Sequence, residues 1–191
     1  MPGRAHWKSH DYTIYLALVI LLALGWGVRA SAEGREKTFA DPQGTFHLKY
    51  PARWLPTAGA GSLLEVEDPL SGGLAPTRLV VSRGPLPTDQ GLDQIAQAEV
   101  LARARQLDFY RVLSSDPKSV GGRQAVAIEY AFVADPQEGV LAAERIPVVV
   151  RGVEVIIPAG TVVYRLDFRA ADAVFTSALP AFDRILRGIA L

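Results

Sequence analysis

The chain has 191 residues, 49% of them hydrophobic and 21% charged, which is enough for one hydrophobic core and a short appendage. Twenty basic residues balance twenty acidic ones, and the part after residue 32 keeps 17 basic and 19 acidic residues. Because proteins bind nucleic acid through clustered cationic side chains, this balance excludes a nucleic-acid partner. The absence of cysteine excludes disulfides, thiolate metal sites and iron–sulfur clusters.

An apolar segment lies close to the N-terminus. Residues 12–28 carry no charge, and as a helix they would rise about 26 Å, close to the roughly 30 Å of a bilayer's hydrocarbon core. Aromatic residues of the kind that settle at membrane interfaces lie at both ends of the segment. These predicted interface anchors are Trp7, Tyr12, Tyr15 and Trp26. The sequence therefore predicts a transmembrane helix over residues 12–28, preceded by a cytoplasmic tail over residues 1–11.

The same segment also fits the apolar region of a signal peptide. Arg4 and Lys8 form a basic start, and residues 30–32 have the small-residue pattern that precedes cleavage. The apolar run exceeds the roughly 7 to 15 residues usual in a signal peptide, and Arg29 interrupts the approach to the cleavage site, so we favour a retained anchor. Both interpretations export the rest of the chain. It is either the extracytoplasmic domain of a single-pass cell-membrane protein or a secreted protein released after Ala32.

The remainder of the chain predicts one α+β domain over residues 38–191, reached through a linker over residues 29–37. Alternating apolar and polar residues predict strands, whereas apolar residues at every third or fourth position predict helices. In chain order, strands are expected at 45–50, 64–67 and 78–83, a helix at 88–107, strands at 126–132, 144–157 and 161–169, and a helix at 175–189. The predicted class is an antiparallel β-sheet sandwiched by helices.

Three of these elements carry more detailed predictions. Thr88 is the expected N-cap of the first helix in the domain. The inward stripe of that helix is expected to comprise Leu92, Ile95, Ala98 and Ala102. Gly121 and Gly122 tolerate positive φ and therefore predict a tight hairpin turn. Pro180 either kinks the last helix or opens its main section.

The order of these features resembles the PsbP-like family. The resemblance is carried by Phe46-His47-Leu48-Lys49-Tyr50-Pro51 with Trp54, by Val120-Gly121-Gly122-Arg123, by the strand from Gly160 to Phe168, and by Phe175, Phe182, Ile185 and Leu186. It spans residues 38–190 and implies an antiparallel sheet between helices. Members of the family include extrinsic photosystem II subunits, a nuclear-import factor that binds a small GTPase, and exported bacterial proteins. This chain resembles the exported bacterial type, and its membrane segment sets it apart from the photosynthetic members, so a photosystem role is not transferred.

Catalytic, cofactor-binding and metal sites are expected to be absent. His6 and His10 precede the membrane segment, whereas His47 alternates with apolar neighbours and should face solvent alone. A metal site needs several converging donors, and hydrolase chemistry would need a carboxylate and a hydroxyl beside His47. Trp54 is expected to pack in or beside the core.

Three acidic residues lie near one another at the end of one predicted strand. They are Glu65, Glu67 and Asp68. Their spacing is that of an exposed strand face, and no acidic loop of the calcium-binding type surrounds them. We therefore expect a solvated surface here.

Four arginines are expected to share the polar face of one hairpin. They are Arg145, Arg151, Arg165 and Arg169. Such a face could bind an acidic partner, although Glu144, Glu154 and Asp167 dilute its positive field. This is the predicted partner surface.

Together these features predict a noncatalytic accessory subunit. Its exported domain would dock on a larger membrane protein complex, for example one of energy transduction. Two alternatives stay open: a secreted binding module released after Ala32, and an exported hydrolase that uses His47. The sequence names neither a cofactor nor a small-molecule ligand.

Overall fold

The computed structural model describes residues 14–25, 35–44, 46–59, 61–72, 75–134 and 147–191. The chain divides into two compact units, Met1–Glu36 and Lys37–Leu191. Three of the predicted interface anchors and one predicted partner arginine lie outside the described residues. They are Trp7, Tyr12, Trp26 and Arg145.

The first unit contains one described helix, α1, over residues 14–25. The large apolar side chains of α1, including that of the predicted anchor Tyr15, are between 49% and 68% exposed. Across the described ranges, no helix is both long enough and apolar enough to pass through a membrane. The segment predicted to do so, residues 12–28, extends beyond α1 at both ends and stays a prediction.

The second unit is built on antiparallel sheet. A small sheet pairs β1 (Glu36–Ala40) with β2 (His47–Pro51). The main sheet contains β3 (Leu55–Pro56), β4 (Leu64–Glu67), β5 (Arg78–Pro85), β6 (Arg111–Val120), β7 (Arg123–Ala134), β8 (Val148–Ala159) and β9 (Val162–Ala171). Its spatial order is β3-β4-β5-β9-β8-β7-β6, and every neighbouring pair is antiparallel.

Two helices cover opposite faces of this sheet. Helix α2 (Leu92–Ala104) packs on one face, and α3 (Asp172–Arg187) packs on the other. Along β9, Leu166 and Phe168 point towards α3, whereas Asp167 points towards α2, because successive side chains of a strand alternate between faces. The predicted α+β class, with an antiparallel sheet between helices, is therefore confirmed.

The main core lies between the sheet and α3. Phe168 is stacked on Phe182 with ring centroids 4.8 Å apart, and its ring is also nearly parallel to that of Trp54, at 6.4 Å. Each of these rings is almost fully buried, and burial of one such side chain stabilises a fold by about 1.5 to 3 kcal/mol. The expectation that Trp54 packs in the core is confirmed. Helix α3 continues through Pro180 as one element.

Two details of the main sheet and α2 differ from the sequence-based expectations. Strand β6 was not predicted, because its sequence RVLSSDPKSV lacks alternation: it is an edge strand with both faces largely exposed. Helix α2 begins at Leu92, after Gly91, so the prediction of Thr88 as its N-cap is wrong. The Gly91 N–H is instead satisfied by the side-chain oxygen of Gln94, at 3.1 Å.

The hairpin between β6 and β7 has the predicted turn. Gly121 and Gly122 have φ values of 57° and 77°, and Val120 pairs with Arg123 across the turn. Both φ values lie in the left-handed region, where a Cβ atom meets the following carbonyl oxygen and glycine does not. The turn therefore depends on glycine for backbone conformation.

We expect Gly122→Ala to destabilise the domain by about 1 kcal/mol, because alanine is strained at this φ even though a Cβ there would have open space around it. Gly122→Asn should cost less, since asparagine visits the left-handed region more readily. Urea unfolding of both variants, followed by circular dichroism, measures the difference. Equal losses for the two variants would contradict the conformational explanation.

Candidate functional site

Helix α2 contacts the sheet through an inward stripe that begins apolar and ends charged. Ile95 and Ala96 are buried against strands β7, β8 and β9. The predicted stripe is wrong in its second half, since Ala98 and Ala102 are exposed. The stripe continues from Ile95 and Ala96, at three- and four-residue steps, through Glu99, Val100 and Arg103. The last turn of α2 therefore brings charge onto the sheet.

Five side chains meet there and form what we call the charged network. They are Arg103 of α2, Tyr130 of β7, Glu154 of β8, and Asp167 and Arg169 of β9. Strand register explains why they meet: Glu154 lies directly opposite Asp167, and Gly152 lies between Tyr130 and Arg169. Residues opposite one another in antiparallel strands project to the same face. The network is consequently assembled from four elements at one place.

Arg103 and Asp167 hold the network together. The Arg103 guanidinium donates from Nε to Glu154 Oε2 at 2.7 Å and from Nη1 to Asp167 Oδ2 at 3.0 Å. Asp167 also accepts a short hydrogen bond from the Tyr130 hydroxyl and one of 2.7 Å from Arg169 Nε. Hydrogen bonds between ionised groups are about twice as strong as neutral ones. One guanidinium therefore joins α2 to two neighbouring strands.

A glycine makes room for the tyrosine of the network. A Cβ atom at Gly152 would overlap the Tyr130 ring and its hydroxyl oxygen. The ring is also enclosed by Tyr110, whose centroid lies 5.3 Å away, and by the Arg103 guanidinium 5.4 Å from the ring centroid. Gly152 thus lets the Tyr130 ring lie flat enough for its hydroxyl to reach Asp167.

The two carboxylates of the network have opposite electrostatic surroundings. Burial raises the pKa of Glu154 to about 7, and the attraction of Arg103 offsets this only in part. Burial acts upward on Asp167 as well, but Arg169 and Arg103 outweigh it and hold the Asp167 pKa below its ordinary value. Glu154 therefore exchanges a proton near neutral pH, whereas Asp167 stays ionised.

Two buried oxygens at the network lack a hydrogen-bond partner among the described residues. They are Oε1 of Glu154 and the hydroxyl of Tyr110. Burial raises the pKa of Tyr110 to about 12, so the phenol stays protonated at neutral pH. A buried acceptor without a donor disfavours the ionised carboxylate, in agreement with the raised pKa of Glu154.

The predicted partner arginines do not share one face. Arg165 and Arg169 point towards α2, but Arg151 points towards α3, where its guanidinium lies 4.6 Å from the Phe175 ring centroid. The reason is register, since Arg151 pairs with Ala170 and so takes the opposite side from Arg169. The shared-face expectation therefore holds for Arg165 and Arg169 and is wrong for Arg151, and partner binding by each of the three stays a prediction.

Each of the three arginines also contacts a carboxylate within the domain. Arg151 contacts Glu129, and Arg165 Nε lies 3.0 Å from an oxygen of Glu99. Arg169 binds Asp167 in the network. These internal ion pairs reduce the positive field that an acidic partner would meet.

The other candidate residues have structural contacts. His47 is exposed, and its main chain exchanges hydrogen bonds with Ala190 at 2.9 and 3.0 Å. Asp68 is buried rather than solvated, and it accepts a hydrogen bond of 2.9 Å from Arg53. Glu65 is paired with Arg78 at 3.0 Å. Within the described residues, no group of histidine and acidic side chains has a metal-binding arrangement.

The end of the sheet where β6 begins exposes an apolar patch, which we call the Phe109 surface. It comprises Phe109 and Val149. Phe109 and Val149 line a shallow cleft of about 410 Å³, and Val112 lines a second cleft of about 600 Å³ between α2 and β6. Phe109 is 85% exposed and has a φ of 55°, the left-handed conformation that bulky residues rarely adopt.

Sequence reasoning missed the network because Glu154 was treated as a surface charge. A signal was nevertheless present in the predicted turn at Gly160. If that turn closes the hairpin between residues 160 and 161, Glu154 lies directly across from Asp167, as the structure shows. A carboxylate inside the apolar run Val153–Ile157, placed opposite a second carboxylate, requires a cation from elsewhere in the fold.

No family model matches the sequence, and no curated protein matches it. Solved structures do match its fold. CyanoP, the PsbP of the cyanobacterium Synechocystis sp. PCC 6803, aligns with a TM-score of 0.58 at 15% identity, over 82% of this chain and 92% of that one. LpqN of Mycobacterium tuberculosis, described as involved in cell envelope biogenesis, aligns with a TM-score of 0.57 at 16% identity, over 82% and 90%.

A protein of unknown function from Pseudomonas aeruginosa aligns similarly, with a TM-score of 0.53 at 16% identity over 81% of this chain and 95% of that one. These alignments cover most of each matched chain, and at such low sequence identities they show similarity of fold alone. They confirm that the domain has the PsbP-like fold that the sequence resembles.

The raised pKa of Glu154 predicts a pH-dependent contribution to stability. Its ordinary pKa of 4.5 applies to the unfolded chain, whereas the folded value is about 7, so the folded state binds an extra proton between these pH values. Stability from this group therefore falls as pH rises through that window. Relative to Glu154→Gln, the wild type should lose on the order of 3 kcal/mol of unfolding free energy between pH 4.5 and 7.5.

Denaturant unfolding of the full chain in mild detergent at several pH values checks this difference. Glu129→Gln is the matched control, because it removes a carboxylate from the opposite face of the same hairpin, outside the network. Identical pH slopes for the wild type and Glu154→Gln would show that Glu154 is not the titrating group.

Proposed function

We propose that the chain is a noncatalytic accessory protein of a membrane. In this proposal residues 12–28 hold it in the bilayer, and the PsbP-like domain lies outside the cytoplasm, where it docks on a larger membrane protein assembly, for example one of energy transduction. The observation that carries the proposal is the fold, which this domain shares over most of its length with CyanoP and LpqN.

The exposure of α1 supports the anchor. Its leucine, isoleucine and valine side chains are half to two-thirds exposed, and exposed apolar surface costs about 25 cal/mol per Å² in water. Hydrocarbon removes this cost along the whole helix, and the uncharged sequence continues on both sides of residues 14–25. An anchor over residues 12–28 would cover this surface.

The placement of the charged network supports a structural role for its charges. Arg103 neutralises the two carboxylates of the sheet and fixes the last turn of α2 over them. The two clefts described above are lined by other residues, and Glu154 is buried beneath the helix. A general base must reach a substrate proton within about 3 Å, and the burial of Glu154 beneath α2 argues for a structural role instead.

Partner docking is assigned in this proposal to the exposed edges of Arg165 and Arg169. Their side chains retain 25% and 20% exposure despite their internal ion pairs. An acidic partner would bind by sharing these guanidiniums with Glu99 and Asp167, which favours a partner that approaches over the end of α2.

Solubilisation of native membranes in mild detergent, followed by native gel electrophoresis and mass spectrometry, tests the proposal. We expect the chain to migrate with a larger assembly, to resist alkaline carbonate extraction, and to retain its N-terminal residues. Arg165→Glu should weaken the association, whereas Arg184→Glu, an exposed change on α3, should not. Recovery only as a free monomer would refute docking. A mature N-terminus after Ala32 would instead support the secreted binding module.

A further inference from the structure

The fold holds an aromatic ring out into solvent at one end of the sheet. Phe109 has a φ of 55° and is 85% exposed, so its strained backbone gains no burial of the ring within the domain. The turn is fixed from outside, because the Val133 N–H donates to the carbonyl oxygen of Asp108 at 3.0 Å. Strain of this kind persists where the surrounding structure imposes it, and it concentrates at sites of function.

The neighbours of Phe109 give this end a distinct chemistry. Val149 lines the same cleft as Phe109 and is half exposed. Arg111 lines this cleft, and Arg105 follows the last turn of α2, four residues before Phe109. Both are exposed, and neither forms an ion pair with a carboxylate in the described part of the chain. The arginines of the charged network, by contrast, are all paired.

The length of the linker limits where the domain can lie. This step rests on the proposed anchor over residues 12–28. Residues 29–35 separate that anchor from β1 and span at most about 25 Å when fully extended. A domain of this size has a radius of gyration of about 15 Å, so it stays close to the bilayer and one of its surfaces faces the lipid headgroups.

We propose that the Phe109 surface is a second membrane contact of this protein. Phe109 and Val149 enter the interface at headgroup depth, where exposed aromatic rings are favoured. Arg105 and Arg111 bind the phosphates of anionic lipids, which guanidinium groups recognise through paired hydrogen bonds. Lipid is the favoured occupant because a protruding aromatic ring lies near two arginines that have no ion pair among the described residues, and because the linker to the proposed anchor is short.

The absence of cysteine makes a depth measurement direct, since a single introduced cysteine can be labelled without background. Val149→Cys reports from the Phe109 surface and leaves the ring in place, whereas Ser119→Cys, exposed at the far end of β6, is the matched control. The full chain is reconstituted in vesicles of phosphatidylcholine and phosphatidylglycerol. Lipids with spin labels near the headgroup then quench a fluorophore attached to each cysteine.

We expect quenching at position 149 to exceed quenching at position 119 by at least twofold. Phe109→Ala should reduce the excess, and Arg105→Gln with Arg111→Gln should reduce it in vesicles containing phosphatidylglycerol but not in pure phosphatidylcholine. Circular dichroism of each variant confirms that it is folded.

Two other outcomes would overturn the inference in distinguishable ways. Equal quenching at both positions, in a chain that alkaline carbonate fails to extract, would refute lipid contact and leave the anchor intact. Protection of position 149 from water-soluble quenchers in native membranes, but not in pure lipid vesicles, would assign this surface to a protein partner. Extraction of the chain from the vesicles by carbonate would refute the proposed anchor itself, and with it the tether on which the inference depends.

Discussion

The domain depends on one buried ionic contact, the bridge from the Arg103 guanidinium to Glu154 and Asp167. Removing a charged group from water costs several kcal/mol, and two carboxylates side by side in a sheet would also repel each other. The Arg103 guanidinium offsets both the desolvation cost and the repulsion between the carboxylates, but only if the last turn of α2 lies directly above β8 and β9. The charge on the sheet therefore positions the last turn of the helix, and apolar packing of Ile95 positions its first turn.

The two carboxylates of the charged network differ in pKa because they accept hydrogen bonds from different donors. Asp167 accepts hydrogen bonds from two arginines and a tyrosine, whereas one oxygen of Glu154 has no donor among the described residues. The same burial thus keeps one group ionised and brings the other to titrate near neutrality. Gly152 is part of this arrangement, since any larger residue would displace the Tyr130 ring, whose hydroxyl donates a hydrogen bond to Asp167.

The arginines of the domain divide into two kinds with different consequences. Those beneath or beside α2 are neutralised within the domain and stabilise the packing of helix on sheet. Arg105 and Arg111 lie at the end of the sheet, next to the strained and exposed Phe109. Internal pairing reduces the positive field of the first kind, so Arg165 and Arg169 bind a partner only by sharing their guanidiniums with their internal carboxylates. The second kind forms no ion pair within the described ranges and remains available to an anionic surface.

The sequence alone determined the features that follow from local pattern. Alternation along β9, the paired glycines at 121 and 122, and the apolar spacing of α3 are periodic or stereochemical signals, and they predicted these elements and the α+β class. The PsbP-like fold was indicated by the resemblance of the ordered motifs, from residues 46–51 to the last helix. Only the tertiary structure decided which charges are buried, because this depends on the register between strands and on the position of α2. Arg151 and Arg169 lie in paired strands yet point to opposite faces, and a one-residue difference in register is enough to separate them.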